Sequence, residues 1–135
     1  MDVLNARGIG TLPGLVGVEI LAVEPGQLRS RLPLRRELLA PNGYLHAASI
    51  IALADTTAGY ATIAHLPEGA ASFTTIELKS NFFATCREGA ILAAATPLHA
   101  GRNTQVWDVA VTAEDDHRLI ASFRCTQMVL WPQPS

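Results

Sequence analysis

The side chains best suited to chemistry are Asp55 and His46, which stand nine positions apart. Asp55 lies in the most apolar stretch of the chain, between Ala54 and Thr56, with no basic residue close to it in sequence. Removing a carboxylate from water costs several kcal/mol unless it is paired or hydrogen-bonded. Asp55 therefore pairs with a distant arginine, lies on an exposed helix face, or is held in an apolar cleft as a base or nucleophile whose pKa is shifted by burial.

His46 stands where a loop turns into a predicted helix, and the small residues Ala47 and Ala48 follow it. The first turn of a helix carries unpaired N–H groups at the positive end of the helix dipole. Aimed at a carbonyl, such N–H groups form an oxyanion site. The alternatives for His46 are a helix-capping residue or a core histidine with satisfied hydrogen bonds.

The spacing of these two residues restricts how they can cooperate. Nine residues at ~100° and 1.5 Å each put the helix start and Asp55 about 13 Å apart, on opposite sides of one helix. Within one chain they cannot readily act on the same carbonyl. Two antiparallel copies of the helix across a two-fold axis would bring the N-terminus of one beside Asp55 of the other. If both residues are catalytic, the protein is therefore at least a dimer with shared sites.

The elements around these residues predict an α+β domain. The alanine-rich run from His46 to about Ala64 predicts a long helix, apolar on every face and therefore wrapped by other structure. Two strands precede it, joined at a Pro-Gly turn, and residues 35–45 between them and the helix read as a loop. Four strands with short turns follow it. The predicted strands are 16–23, 27–32, 73–83, 90–98, 104–112 and 119–130. Together they predict an antiparallel sheet of five to six strands wrapped around one long central helix.

The composition narrows the class of protein. A chain of 135 residues that is 49% apolar forms one domain, residues 1–135, with enough apolar surface for a core. A formal net charge of −2 argues against nucleic-acid binding, and no run of 18 apolar residues predicts a membrane span. The N-terminus lacks a signal-peptide pattern, and the two cysteines lie 39 positions apart, so we predict a cytoplasmic protein without a disulfide framework. No pair of histidines has metal-ligand spacing, so we predict no metal.

Two segments of the sequence resemble the hotdog-fold acyl-CoA thioesterases. They are Asn42-Gly-Tyr-Leu-His46-Ala-Ala-Ser and Leu53-Ala-Asp55-Thr-Thr-Ala-Gly-Tyr60. The type they resemble most is the phenylacetate-degradation and 4-hydroxybenzoyl-CoA thioesterases, and the resemblance covers a core of about residues 15–131. It implies the hotdog fold and hydrolysis of an acyl- or aroyl-CoA to the free acid and coenzyme A. No cofactor is implied, because coenzyme A enters only as part of the substrate.

The resemblance also implies roles for particular residues. Asp55 would activate the attacking water or attack the thioester carbonyl itself. The backbone N–H of Ala47, from the partner subunit, would hold the oxyanion, and His46 would shape that turn. A hydroxyl at the start of the next strand, Thr74 or Thr75, would position the water. Residues at the subunit edges would bind the coenzyme A portion, and they are Lys79 together with the turn Gly101, Arg102 and Asn103.

Two positions depart from the pattern of the family. Ala47-Ala48 stands where the family has Gly-Gly, so the backbone N–H is kept but each methyl group narrows the approach to it. Ala40 stands where many relatives have Asn or Gln, and Asn42 is the nearest substitute.

The sequence thus predicts an acyl-CoA thioesterase that forms a homodimer or a dimer of dimers, with small-molecule acyl-CoA as its partner. An acyl-thioester hydratase or dehydratase of the same fold is one alternative, although the Asp-x4-His spacing of the hydratases is absent at Asp55. A non-catalytic acyl-CoA-binding or sensor domain is another, favoured by the two alanines after His46.

Overall fold

The computed structural model describes residues 2–134 and contains three α-helices and six strands. The helices are α1 (Asp2–Arg7), α2 (Leu12–Val16) and α3 (Ala47–Ala64). The strands are β1 (Glu19–Glu24), β2 (Gln27–Pro33), β3 (Ser72–Phe82), β4 (Ala90–Ala100), β5 (Thr104–Ala113) and β6 (Leu119–Leu130).

All six strands form one antiparallel sheet in the order β1-β2-β4-β5-β6-β3. The chain enters at one edge of the sheet, and after α3 it returns to the other edge as β3. Strands β4 to β6 then fill the middle through short turns. The predicted α+β architecture is confirmed, with six strands rather than five.

The sheet wraps around α3, which forms the centre of the core. Leu53, Ala54, Ala58 and Ala61 of this helix are fully buried. Alternate side chains of the central strands point toward it, and those of β5 and β6 include Trp107, Val109, Phe123 and Cys125. The helix is long and apolar enough to cross a membrane by length and composition, but half of it is buried inside the domain as the core helix.

The N-terminal part differs from the sequence prediction. Residues 16–23 were expected to form a strand, but Leu12–Val16 is helical and β1 begins only at Glu19. Gly17 has a φ of 104° in the left-handed region, which ends the helix and redirects the chain. The expected loop 35–45 also contains a 3-10 turn at Arg36–Leu38. Hydrophobic periodicity did not reveal these short elements because each spans at most about one helical turn.

A pair of buried hydroxyl groups ties α3 to β2. Thr57 Oγ1 donates to the Leu53 carbonyl at 2.6 Å and lies 2.5 Å from Ser30 Oγ. Because the single proton of Thr57 is used within the helix, Ser30 must be the donor between the two hydroxyl groups. Both residues are fully buried, so neither has water as a replacement partner.

We expect Thr57→Val to lower the free energy of unfolding by about 1–3 kcal/mol, because it leaves the buried Ser30 hydroxyl without an acceptor. Urea denaturation of the single variants and of the double variant Ser30→Ala/Thr57→Val measures the coupling. The double variant should lose less than the sum of the two single losses. Additive losses would show that the two hydroxyl groups do not interact.

Candidate active site

Asp55 lies in the third turn of α3, on a face that the sheet leaves partly open. Its neighbours on this face are Ala48, Ile51 and Ala52, none of which is fully buried. The carboxylate oxygen Oδ1 is enclosed and has no hydrogen-bond partner among residues 2–134, whereas Oδ2 is not enclosed in this way. No basic side chain of the described chain lies within ion-pair distance of Asp55, so pairing with a distant arginine is ruled out within the protomer.

The surroundings of Asp55 favour its protonated form more than water does. Burial raises the pKa of the carboxyl group above the usual range of an aspartate, because desolvation disfavours the charged form. On β6, burial and, to a smaller extent, the charge of Asp55 raise the pKa of the Cys125 thiol to about 12. Asp55 thus has the pKa direction expected of a general base.

The N-terminus of α3 has a defined hydrogen-bond pattern. His46 is the N-cap residue, and its Nδ1 accepts the backbone N–H of Ala48 at 2.9 Å. Because Nδ1 is an acceptor, the neutral ring carries its proton on Nε2. The N–H of Ala47 has no acceptor among residues 2–134. His46 is thus a capping residue, and its cap leaves the Ala47 N–H free to bind a ligand oxygen.

The loop before α3 is held by contacts that fix this terminus. The Leu38 carbonyl accepts the His46 N–H at 3.2 Å and the Ser49 hydroxyl at 2.8 Å. Asn42 lies at the exposed tip of the loop, where its Oδ1 accepts the Tyr44 N–H at 3.2 Å. Asn42 therefore shapes the turn that precedes the helix. Ser49 is a supporting residue that the sequence analysis missed, although a serine at the third helical position is a recognisable signal.

The register of β3 separates its two threonines. Thr75 pairs with the fully buried Gln127, so its side chain shares the sheet face that carries α3. Thr74 pairs with the exposed Met128 and lies on the outer face. Within one chain only Thr75 is therefore on the same side of the sheet as Asp55.

The residues predicted to bind coenzyme A fall into two separate groups. Lys79 pairs with Arg124 on the outer face of the sheet. The Arg102 guanidinium lies 4.2 Å from the ring centre of Trp131, at the turn between β4 and β5. Seven strand positions separate Arg124 from Trp131, or roughly 23 Å. Lys79 and Arg102 of one chain therefore cannot bind the same phosphate group.

The other two residues of this turn have structural contacts. The Gly101 N–H donates to the Thr104 carbonyl at 2.9 Å, and the Asn103 carbonyl accepts the Val129 N–H at 2.8 Å. A Cβ atom at Gly101 would lie 2.9 Å from His99 Nε2, so the turn requires a glycine or a shift of that imidazole. Gly101 and Asn103 shape the turn that presents Arg102.

His65, the residue that follows α3, is held by contacts with distant parts of the chain. Its Nε2 accepts the Gly26 N–H at 2.8 Å, and its Nδ1 lies 2.7 Å from the Ala61 carbonyl. The ring also packs edge-on against Trp107 at 5.0 Å. His65 therefore links the end of α3 to the β1–β2 turn. In the described residues no group of three or more His, Cys, Asp or Glu side chains is placed to hold a metal ion.

A long helix wrapped by an antiparallel sheet, with a half-buried carboxylate and a free N–H at the helix start, defines a hotdog-fold protein suited to acyl chemistry. The family model of the thioesterase superfamily matches residues 42–120, which include both α3 and β3. The chain therefore belongs to the thioesterase superfamily and is a thioester hydrolase.

Individual relatives agree with this assignment. A 1,4-dihydroxy-2-naphthoyl-CoA hydrolase of Listeria monocytogenes is 31% identical, over 82% of this chain and 89% of its own length. An Escherichia coli protein of the same name is 29% identical, over 96% of this chain and 94% of its own. The crystal structure of a thioesterase from Haemophilus influenzae superposes with a TM-score of 0.89 at 29% identity and covers 96% of this chain and 89% of that one.

We expect Asp55→Asn to raise the melting temperature at neutral pH. The folded-state pKa of Asp55 is raised by burial, so the folded protein binds this proton more tightly than the unfolded chain. The contribution of this bound proton to the free energy of unfolding is fully present below the unfolded-state pKa of Asp55. It is lost as the pH rises through the folded-state pKa. The difference in melting temperature between Asp55→Asn and wild type should therefore grow over that window and then level off. A constant difference would show that Asp55 titrates normally.

Proposed function

We propose that this protein hydrolyses an acyl- or aroyl-CoA to the free acid and coenzyme A, with Asp55 as the base or nucleophile. The observation that carries this proposal is the environment of the Asp55 carboxylate. Oδ1 is enclosed and has no hydrogen-bond partner in the described chain, whereas Oδ2 is not enclosed in this way. The helix face around them is lined by the apolar residues Ala48, Ile51 and Ala52. A half-desolvated carboxylate without a counter-ion gains little structurally, which favours a chemical role.

In this proposal the accessible oxygen Oδ2 of Asp55 does the chemistry. As a base it takes a proton from a water molecule, whose oxygen attacks the thioester carbonyl carbon. As a nucleophile it attacks that carbon directly, and the anhydride that forms when the thiolate leaves is then hydrolysed by water, which releases the free acid and regenerates Asp55. Either route places a negative charge on the carbonyl oxygen and then expels the coenzyme A thiolate. Thr75, which shares the sheet face of Asp55, is the hydroxyl proposed to orient the water.

The free N–H of Ala47 is the proposed donor to the carbonyl oxygen. It lies at the positive end of the α3 dipole, where an N–H stabilises a developing oxyanion. Eight residues separate Ala47 from Asp55, or about 12 Å along the helix. The donor must therefore come from the helix of a second subunit, which makes each site a joint property of two chains.

The open edge of the sheet supports such an assembly. Strand β3 is an edge strand of 11 residues, paired only with β6 among the described strands. Along it and just after it lie exposed apolar side chains, namely Ile76, Leu78, Phe82 and Phe83. A long apolar edge strand with unpaired backbone groups favours pairing with another strand. We propose a homodimer or dimer of dimers in which this edge and the open face of α3 meet a second copy.

The acyl group is proposed to be aromatic. Two of the relatives described above are hydrolases of a naphthoyl-CoA, and the proposed slot beside Asp55 is lined by small apolar residues. Arg102 and Lys79 are proposed to bind the coenzyme A portion. Because they lie far apart in one chain, each site would take them from different subunits.

The free cysteines Cys86 and Cys125 agree with a reducing, cytoplasmic setting. Membership of a hydrolase family favours this function over a hydratase or a non-catalytic binding domain.

Asp55→Asn should lower turnover by about 10²–10⁴-fold, because it removes the base while preserving the shape of the side chain. Release of free thiol from short, medium, long and aromatic acyl-CoAs by both proteins measures this. The substrate with the highest wild-type kcat/KM defines the acyl class. Equal turnover in the two proteins would remove Asp55 from the mechanism.

Ala47→Pro should abolish turnover while leaving the fold intact. Ala47 is the first helical residue, where proline is well tolerated, and His46 already has an extended ψ of 133°. The substitution removes only the N–H that is proposed to bind the oxyanion. Circular dichroism and free-thiol release check the two halves of this expectation.

Mixing the two inactive variants tests whether sites are shared. After co-refolding of Asp55→Asn and Ala47→Pro, each mixed dimer contains one site with both defects and one with neither. Random assortment should therefore restore about one quarter of wild-type activity if the sites are shared between subunits of a two-fold dimer. No recovery, or a monomer by light scattering, would place each site within one chain and contradict the shared-site proposal.

A further inference from the structure

Three buried side chains carry polar atoms that lack a hydrogen-bond partner within the described chain. Among residues 2–134 they belong to Asp55, Ser80 and Gln127, which lie on α3, β3 and β6. Gln127 is fully buried, and neither its amide nitrogen nor its amide oxygen has a hydrogen-bond partner in the described chain. A buried carboxamide left in this state costs free energy, so its presence calls for a reason.

The strand register places Gln127 on the inner face of the sheet, beside the part of α3 that follows Asp55. On one side of Gln127 in β6 is the fully buried Cys125, which pairs with Leu78 of β3 and Trp107 of β5. On the other side is Val129, paired with Phe73, and Phe73 packs over Gly59 one helical turn after Asp55. Gln127 points to the same inner face as both neighbours and lies between these two contacts.

Gln105 shows what a structural glutamine looks like on the same face. It is paired directly with Gln127 across β5 and β6 and is equally buried. Its amide oxygen accepts the Trp107 indole N–H at 2.7 Å, and its amide nitrogen donates to the His65 carbonyl at 2.9 Å. Hydrogen bonds within the chain therefore explain why a buried carboxamide is tolerated at Gln105. No such bond in the described chain explains the buried carboxamide of Gln127.

We propose that Gln127 is a positioning residue for Asp55, and that its carboxamide and the enclosed oxygen Oδ1 of Asp55 hold one buried water between them. The water accepts a hydrogen bond from Gln127 Nε2 and donates one to Asp55 Oδ1. This bridge gives Gln127 Nε2 and Asp55 Oδ1 one partner each, orients the carboxylate with Oδ2 toward the thioester, and favours its ionised form. The catalytic meaning of the bridge rests on the proposed role of Asp55, but the bridge itself does not.

No charged side chain of the described strands forms an ion pair or hydrogen bond with Asp55, so the proposed water bridge can affect its pKa. On β3, β5 and β6 the charged side chains lie on the outer face of the sheet, and they are Glu77, Lys79, Asp108 and Arg124. On β2, Arg31 is engaged with Glu19 and Glu114. The charged residues of α1 and β1 have no ion pair or hydrogen bond to Asp55. The Cys125 thiol lies on the inner face of β6, and its pKa of about 12 keeps it neutral at physiological pH.

The test follows the Asp55 carboxyl group directly in Gln127→Met, which keeps similar volume and removes both amide atoms. Aspartate labelled with ¹³C at the carboxyl carbon reports each titration, and the signal missing from Asp55→Asn identifies Asp55. We expect its midpoint to rise by about one pH unit in Gln127→Met, because the ionised form loses a hydrogen bond. The acid limb of kcat/KM should move by the same amount. The matched control Gln105→Met should lower the melting temperature and leave both titrations in place.

A second variant, Gln127→Glu, controls for the possibility that methionine changes the packing around Asp55. Gln127→Glu places two carboxyl groups in one enclosed site, and their macroscopic pKa values should separate. An Asp55 midpoint that stays at its wild-type value in both variants would overturn the proposal. If the carboxyl titration moves and the acid limb of kcat/KM does not, the coupling of Gln127 to Asp55 stands and the role of Asp55 as the base fails.

Discussion

The structure depends on the enclosure of one apolar helix by one sheet. Helix α3 is mostly apolar and carries one charged side chain, Asp55, so it must be surrounded, and the inner faces of the strands surround it. A carboxylate on such a helix is desolvated without any special device. The raised pKa of Asp55 therefore follows from the packing that stabilises the fold. The packing that stabilises the fold also produces the shifted pKa that suits Asp55 to chemistry. At Asp55 itself, burial of the charged carboxylate lowers the stability of the fold.

The N-terminus of α3 owes its free N–H group to local hydrogen bonding. Every helix begins with N–H groups that lack intrahelical acceptors. His46 uses its ring nitrogen to satisfy Ala48, and the contacts to the Leu38 carbonyl fix the terminus, so Ala47 is left with a free donor at a rigid position. No specialised side chain is needed for an oxyanion site of this kind. Because the proposed donor is a backbone group, Ala47-Ala48 in place of Gly-Gly keeps it.

The two chemical groups are separated by a helix that is too rigid to bring them together. In the proposed dimer, a second copy placed at the open edge of β3 and the open face of α3 would supply the group that one chain lacks. The same edge carries apolar side chains that an isolated protomer would expose to water. Association and catalysis are then two consequences of one surface.

The sequence determined the local elements well. Alanine-rich composition identified α3, and period-two alternation identified β3 to β6 to within two residues at their ends, because both patterns extend over many residues. It also singled out Asp55 and His46, since a carboxylate in an apolar run and a histidine at a helix start are unusual. Short elements such as α2 were missed because they carry too few residues for a period to show.

Only the tertiary structure decided which groups are enclosed and which remain open. Nothing local distinguishes Gln105, whose amide atoms are all bonded, from Gln127, whose amide atoms have no partners among the described residues. Likewise, Thr74 and Thr75 are adjacent in sequence, and only the pairing of β3 with β6 assigns them to opposite faces. The physical reason is that hydrogen-bond satisfaction and burial depend on partners far away in the chain. Periodicity carries the direction of a side chain but not the identity of what it meets.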